Sequence, residues 1–321
     1  MKNTPTLSRR QMLALGASLF PLTSWAAWPE RSLRLVVPYA AGGGADNAAR
    51  VVAQRLSELL GQPVVIDNKP GAGGVIGADT VAKSTPDGYT ALYDASAYVV
   101  NPALRKLAYD PVKDFIPVSL IVTAPQILVV SPQSPYKSLN ELLAAARKSP
   151  NKLSFASAGA ATASHLAAEL MADEAHVDLL HVPYKGSGPG MQDVLAGVCQ
   201  VIFDGAAKPQ IDAEQVRLLG TTSSVRDPRY PDVPTLSEGG LTGYDLTYWV
   251  GIFAPKGLPP EIQARLNASV KTALAEPEVQ RKLSAMGMTL VGSSPEQMVQ
   301  EIRTETAKLR QIAAAIPGGV N

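Results

Sequence analysis

The chain has 321 residues, enough for two lobes of ordinary domain size. Its 29 Lys and Arg balance 28 Asp and Glu, and no basic stripe of the kind a nucleic-acid binder carries is present. The single cysteine, Cys199, excludes an internal disulfide and lies too far along the chain to be a lipid-bearing N-terminal cysteine.

The N-terminus reads as an export signal. Lys2, Arg9 and Arg10 precede an apolar run from Met12 to Leu22, about 11 residues, the length of a signal core. Ser24-Trp25-Ala26 places small residues where a signal peptidase reads, so cleavage is expected after Ala26. Ser8-Arg9-Arg10-Gln11-Met12-Leu13 resembles a twin-arginine signal with Met12 in the usual Phe position, which leaves the Sec route open as well. The run is short of the roughly 20 residues that span a bilayer, and Pro21 interrupts it. Cleavage leaves 26 basic against 28 acidic side chains in a soluble, periplasmic product.

Short apolar runs then alternate with amphipathic ones. The pattern predicts strands over 33–37, 64–66, 90–93, 126–130, 153–156, 179–182, 201–203 and 216–219. It predicts helices over 47–60, 75–84, 138–148, 164–172, 188–196, 260–275 and 295–315. Ser138 and Glu141 form a capping box, and Pro259-Pro260 marks another helix start. Such alternation argues for parallel sheets covered on both faces. Two long extended stretches, 115–124 and 246–253, read as crossings between a split first lobe (27–123 with 251–321) and a continuous second lobe (124–250).

Three strand-to-helix turns are built from small residues: 38–46, 70–74 and 158–164. Glycine lets backbone approach a ligand closely, and a helix start offers free N–H groups and partial positive charge. Each turn is a socket for an anion that needs no catalytic side chain.

Competing chemistries fit poorly. Gly71-Ala72-Gly73-Gly74-Val75-Ile76-Gly77, with Asp94 downstream, nearly spells a dinucleotide fingerprint, but its third glycine is one place late and it sits in the second βα unit. No glycine loop continues into Gly-Lys-Ser or Gly-Lys-Thr, so a P-loop is excluded. No Gly-x-Ser-x-Gly surrounds Ser157 or Ser187. His165, His176 and His181 make no zinc spacing. His165 could order the loop before it or face a ligand, and His181 reads as a structural strand-end residue. Asp204 ends an apolar strand, where it could face a cleft or cap the next helix. Lys69 and Lys185 read as solvated, and Tyr248 and Trp249 as packing residues. No catalytic residue, metal or cofactor is expected. An exported α/β hydrolase or a carboxylate sensor feeding a membrane kinase are the alternatives.

The motifs together resemble the Bug/TctC family, the periplasmic solute receptors of tripartite tricarboxylate transporters. The resemblance runs through Pro38-Tyr39-Ala40-Ala41-Gly42-Gly43-Gly44-Ala45-Asp46, the Gly71–Ala78 segment, Pro86-Asp87-Gly88-Tyr89-Thr90, Asn101-Pro102 and Tyr109-Asp110-Pro111. It continues through Thr162-Ala163-Ser164-His165, His181-Val182-Pro183-Tyr184-Lys185-Gly186, Phe203-Asp204, Val233-Pro234-Thr235 and Trp249. It implies an α/β, two-lobed periplasmic-binding-protein fold of type II character, with two crossovers and the ligand cleft between the lobes. It also implies a small carboxylate ligand (a di- or tricarboxylate, an acidic amino acid or an aromatic acid) and membrane permease subunits as partners; a monomer is expected. Carried over by position, ligand contacts fall on Tyr39, Ala40, Gly43, Asp46, Ala72 and Gly73 in the first lobe. In the second they fall on Ala158, Gly159, Thr162, His165 and Asp204. Ala45 stands where the family commonly has Thr or Ser, and Ala161 where it commonly has Gly.

Overall fold

The computed structural model describes residues 28–315; the expected export leader lies outside them. Strand β1 (Leu33–Val37) exposes only Arg34, as a strand covered on both faces should. Helix α1 (Gly44–Leu60) buries Ala48, Val52, Leu56 and Leu60, a four-residue spacing that makes one stripe against the sheet. There follow β2 (Val64–Asn68), a short 3₁₀ turn (Ala72–Gly74), α2 (Val75–Ala82), β3 (Thr90–Ala95), α3 (Ala97–Leu104) and β4 (Phe115–Pro125). The second lobe holds β5 (Ile127–Val130), α4 (Leu139–Lys148), β6 (Ser154–Ser157), α5 (Ala163–Ala175), β7 (Leu180–Pro183) and α6 (Ser187–Leu195). It ends with β8 (Val201–Phe203), α7 (Lys208–Asp212) and β9 (Arg217–Thr221). The chain returns through β10 (Thr247–Pro255) to α8 (Pro260–Ala275), α9 (Pro277–Ala285), β11 (Thr289–Leu290) and α10 (Pro295–Ala315).

Two sheets result. The first has the order β11-β4-β10-β3-β1-β2, and the second β7-β6-β8-β5-β9. In each, a βαβ core is parallel: β1 pairs with β2 and β3, and β6 with β7 and β8. Right-handed crossover geometry places the connecting helices on the sheet faces and the strand ends at a common edge. Antiparallel strands flank these cores, because β4 and β10 run in opposite directions between the lobes. They pair with each other from Thr247–Pro125 to Pro255–Phe115, so positions 123/124 and 250/251 fall inside paired strand. The change of sheet comes at Gln126 on the way out and before Thr247 on the way back.

The pattern missed α3, the five-residue α7, α9 and the two-residue β11. Residues 97–101 are all buried, so α3 has no polar face from which a helical period could be read, and it contains Pro102. Helix α9 starts on Pro277 one residue after α8 stops, with Glu276 extended between them.

The back wall is continuous. Tyr98 of α3 stacks on Phe253 of β10 at 4.2 Å and meets the edge of Phe115 at 5.4 Å. Such aromatic pairs add about 0.5–1.5 kcal/mol beyond the area they bury. Helix α10 packs on α3 and β4 of the first lobe and on α5 of the second.

Candidate functional site

The carboxyl ends of β1, β3, β6 and β8 face one another across the gap between the lobes, where sheets of this kind hold ligands. The cavity there has a volume of about 50 Å³. From the first lobe come Tyr39 and the first residues of α1, Gly44 and Ala45, with Gly43 before them. From the second come Ala158, Thr162 and the start of α5, together with Ser187 at the start of α6. The first-turn N–H groups of a helix have no intrahelical acceptor, so three helix starts give this space a positive bias without any cationic side chain. Gln126 and Tyr248, on the two crossings, close the rear of the cavity.

Asp204 lines the cavity and also binds the following turn: its Oδ1 accepts from the Ala206 amide at 2.9 Å. Asp204 thus lines the cavity and braces the turn after β8, but it does not cap the next helix, whose N-cap is Ala207. Burial pushes its carboxyl above the ordinary value, against the pull of the Ala206 amide and the Ser187 hydroxyl. Tyr39 donates to Asp94 Oδ1 at 2.9 Å, and the Ala95 amide donates to the same oxygen at 2.7 Å. Burial still pushes Asp94 up to about 7, and burial with the Asp94 charge keeps the Tyr39 phenol protonated.

Of the positions named from the sequence, Tyr39, Gly43, Ala158, Thr162 and Asp204 line the cavity. The others build its frame. The Ala40 amide donates across the gap to the Lys185 carbonyl at 2.6 Å. Asp46 is 1% exposed and its carboxylate is saturated by Gly42 N (2.9 Å), Arg50 Nε (2.9 Å) and Nη2 (3.0 Å), and Asn68 Nδ2 (2.8 Å). It fixes the first loop instead of facing a ligand. Ala72 is exposed. Gly73 and Gly159 meet across the gap, and a Cβ on Gly73 would stand 1.9 Å from the Ala160 carbonyl oxygen. At Gly44 it would stand 2.4 Å from Ala206 Cβ. Both glycines are needed for the lobes to touch as they do.

His165 orders its own loop. Its Nδ1 accepts from the Ala161 amide at 3.2 Å, Nε2 faces Glu169 at 3.4 Å, and its ring stacks on His181 at 4.1 Å. His181 Nε2 lies 2.6 Å from Ser157 Oγ. Burial, then the neighbouring His165, push His181 down to about 3, so it is neutral. Ser157 is fully buried in β6 and does not line the cavity, so this pair fastens β6 to β7.

Among the polar lining side chains, sequence reasoning missed Gln126, Ser164, Ser187 and Tyr248. Gln126 did carry a signal: it is a lone amide between the apolar runs of β4 and β5. Ser187 follows a glycine at a helix start, and Tyr248 is indistinguishable in sequence from a packing aromatic.

A family model described as "Tripartite tricarboxylate transporter family receptor" matches residues 48–317. The chain is 41% identical to the UPF0065 protein in the tcbD-tcbE intergenic region of Pseudomonas sp. (strain P51), over 95% of this chain and 94% of that one. Among solved structures it is similar to the periplasmic binding protein BugD, at 33% identity and TM-score 0.87, covering 91% of this chain and 99% of that chain. It is also similar to R. palustris Rpa4515 with adipate, at 35% identity and TM-score 0.87, with 91% and 99% covered. The chain belongs to the family of tripartite tricarboxylate transporter receptors.

Proposed function

We propose that this protein is a periplasmic receptor that closes its two lobes on a small carboxylate and presents the closed form to membrane permease subunits. One observation carries the reading: the starts of α1, α5 and α6 converge on a single cavity between the lobes that, among the described residues, no Lys, Arg or His lines. Backbone dipoles that converge in this way suit an anion. The adipate held by a relative of the same fold supports the chemistry. Contacts that both lobes make only when closed shift the population toward closure. The lobes move about Gln126 on one crossing and the 222–246 segment on the other.

Binding is the whole of the activity in this reading. Ser157 and His181 have the spacing of a nucleophile and its base, but the serine is sealed from the cavity and the imidazole is too weakly basic to activate it. Residues 1–26 direct export, and sequencing the mature N-terminus checks cleavage after Ala26.

A thermal-shift screen against acetate, succinate, malate, adipate, citrate, glutamate and benzoate tests the proposal. Binding at a hundred times Kd stabilises by about 2.7 kcal/mol, a shift of a few degrees. If a neutral sugar raises the melting temperature and none of the acids does, the carboxylate reading fails.

A further inference from the structure

Among the described residues, Asp204 is the only carboxyl side chain lining the cavity, and no side-chain cation opposes it there. Its Oδ1 lies 3.8 Å from where a Cβ on Gly44 would be, beside the start of α1. An anion seated on that helix start therefore lies in the immediate neighbourhood of the Asp204 carboxyl. The side chains around it supply neutral groups and no cation. Tyr39 and Tyr248 present hydroxyls, Ser187 a hydroxyl and Gln126 an amide. Asp94 stands behind Tyr39 as a further acid. Lys208 on α7 is turned to Asp212 at 2.6 Å, Arg50 to Asp46 at 2.9 Å, and Lys185 is exposed.

Two carboxylates in one small site with no side-chain cation between them raise each other's affinity for a proton. We propose that Asp204 takes up one proton from solvent when a carboxylate enters the cleft and gives it back as a hydrogen bond to a ligand oxygen, so that capture is proton-coupled. The proton comes from the buffer and rests on the Asp204–ligand pair, and no bond within the ligand changes. Burial already raises the affinity of Asp204 for a proton, which favours the protonated form that donates to the ligand. An amino acid bringing its own ammonium group to Asp204 would bind without this uptake. The inference rests on the carboxylate reading above and gives that reading a specificity-determining side chain.

The test uses adipate, malate, benzoate and glutamate on the mature protein, with affinities measured from pH 5.5 to 8.5. Calorimetry in phosphate and in Tris at the same pH, two buffers with different ionisation enthalpies, counts protons taken up. For acids without an amino group, affinity should weaken with rising pH, approaching about tenfold per unit, and the two buffers should differ by the enthalpy of one proton. Asp204→Asn should flatten the pH profile and bring the two buffers into agreement. Should Asp204→Asn fail to fold, the proton count on the native protein decides alone. Acids that bind with equal enthalpy in both buffers and no pH dependence overturn the inference while leaving the receptor reading intact. If no acid binds at any pH, both fall.

Discussion

Gln126 and Thr222 are bound to each other twice. The Gln126 amide donates to Thr222 Oγ1 at 2.8 Å, and the Thr222 amide donates to the Gln126 carbonyl at 3.0 Å. Thr222 Oγ1 also donates to the Leu246 carbonyl at 2.5 Å, and the Leu246 amide returns to Thr222 O at 2.9 Å. One fully buried threonine thus ties the outward and returning crossings at the level of the cavity floor. Such a knot allows rotation of one lobe on the other but resists separation of the crossings.

Thr222→Val tests that knot. Valine matches the shape but leaves the Gln126 N–H and the Leu246 carbonyl without their hydroxyl partner. A buried polar group left unpaired costs about 1–3 kcal/mol. Urea unfolding should show a loss of about 2 kcal/mol or more. An unchanged midpoint would remove Thr222 from the hinge.

Gly73→Ala tests closure apart from ligand contact. The residue has φ 61°, and the added methyl would collide with the Ala160 carbonyl of the other lobe. The lobes should fold but stay apart. Solution scattering should show no compaction on adding a stabilising acid, and affinity should fall at least tenfold. Compaction equal to that of the native protein would show that the contact is dispensable.

Asp46 links the first loop to acid stability. Burial raises its pKa, but the hydrogen bonds from Arg50, Gly42 and Asn68 outweigh it and hold the carboxyl below the ordinary value. A depressed folded pKa gives stability that is present above the unfolded value, about 4, and is lost as pH falls through the folded one. Asp46→Asn should cost about 2 kcal/mol at pH 7. The difference from the native protein should shrink below pH 4. Arg50 is half-exposed, so Arg50→Ala should cost less than about 1 kcal/mol.

Asp94 has the opposite sign. Its folded pKa, about 7, lies above the unfolded value, so the native state binds the extra proton. The contribution of Asp94 to stability is therefore greatest below about pH 4 and declines as pH rises to about 7. Asp94→Asn, which keeps an oxygen for the Tyr39 hydroxyl, should flatten that decline and be more stable than the native protein at pH 8. Parallel stability curves for the two proteins would show that Asp94 is ionised as usual.

Much of this was readable in the sequence because it depends on local signals. The stripe Ala48-Val52-Leu56-Leu60 gave α1, the Ser138–Glu141 pair gave the start of α4, and the glycine turns at Gly42 and Gly159 gave two walls of the cleft. The division of labour within those turns was not readable. Whether Asp46 turns toward a ligand or back onto Arg50 and Asn68 depends on β2, 22 residues away. Whether the Ala40 amide is free depends on Lys185 in the other lobe. Gln126 reaches the cavity only because two crossings lie side by side, a relationship that no period in the sequence records.

The most direct measurement of the central claim is a crystal structure with the acid that raises the melting temperature most. It should place one carboxylate between the first-turn amides of α1 and α5, with a ligand oxygen beside Asp204. A carboxylate bound away from those helix starts, for instance in the groove between Tyr98 and Ile302, would contradict it.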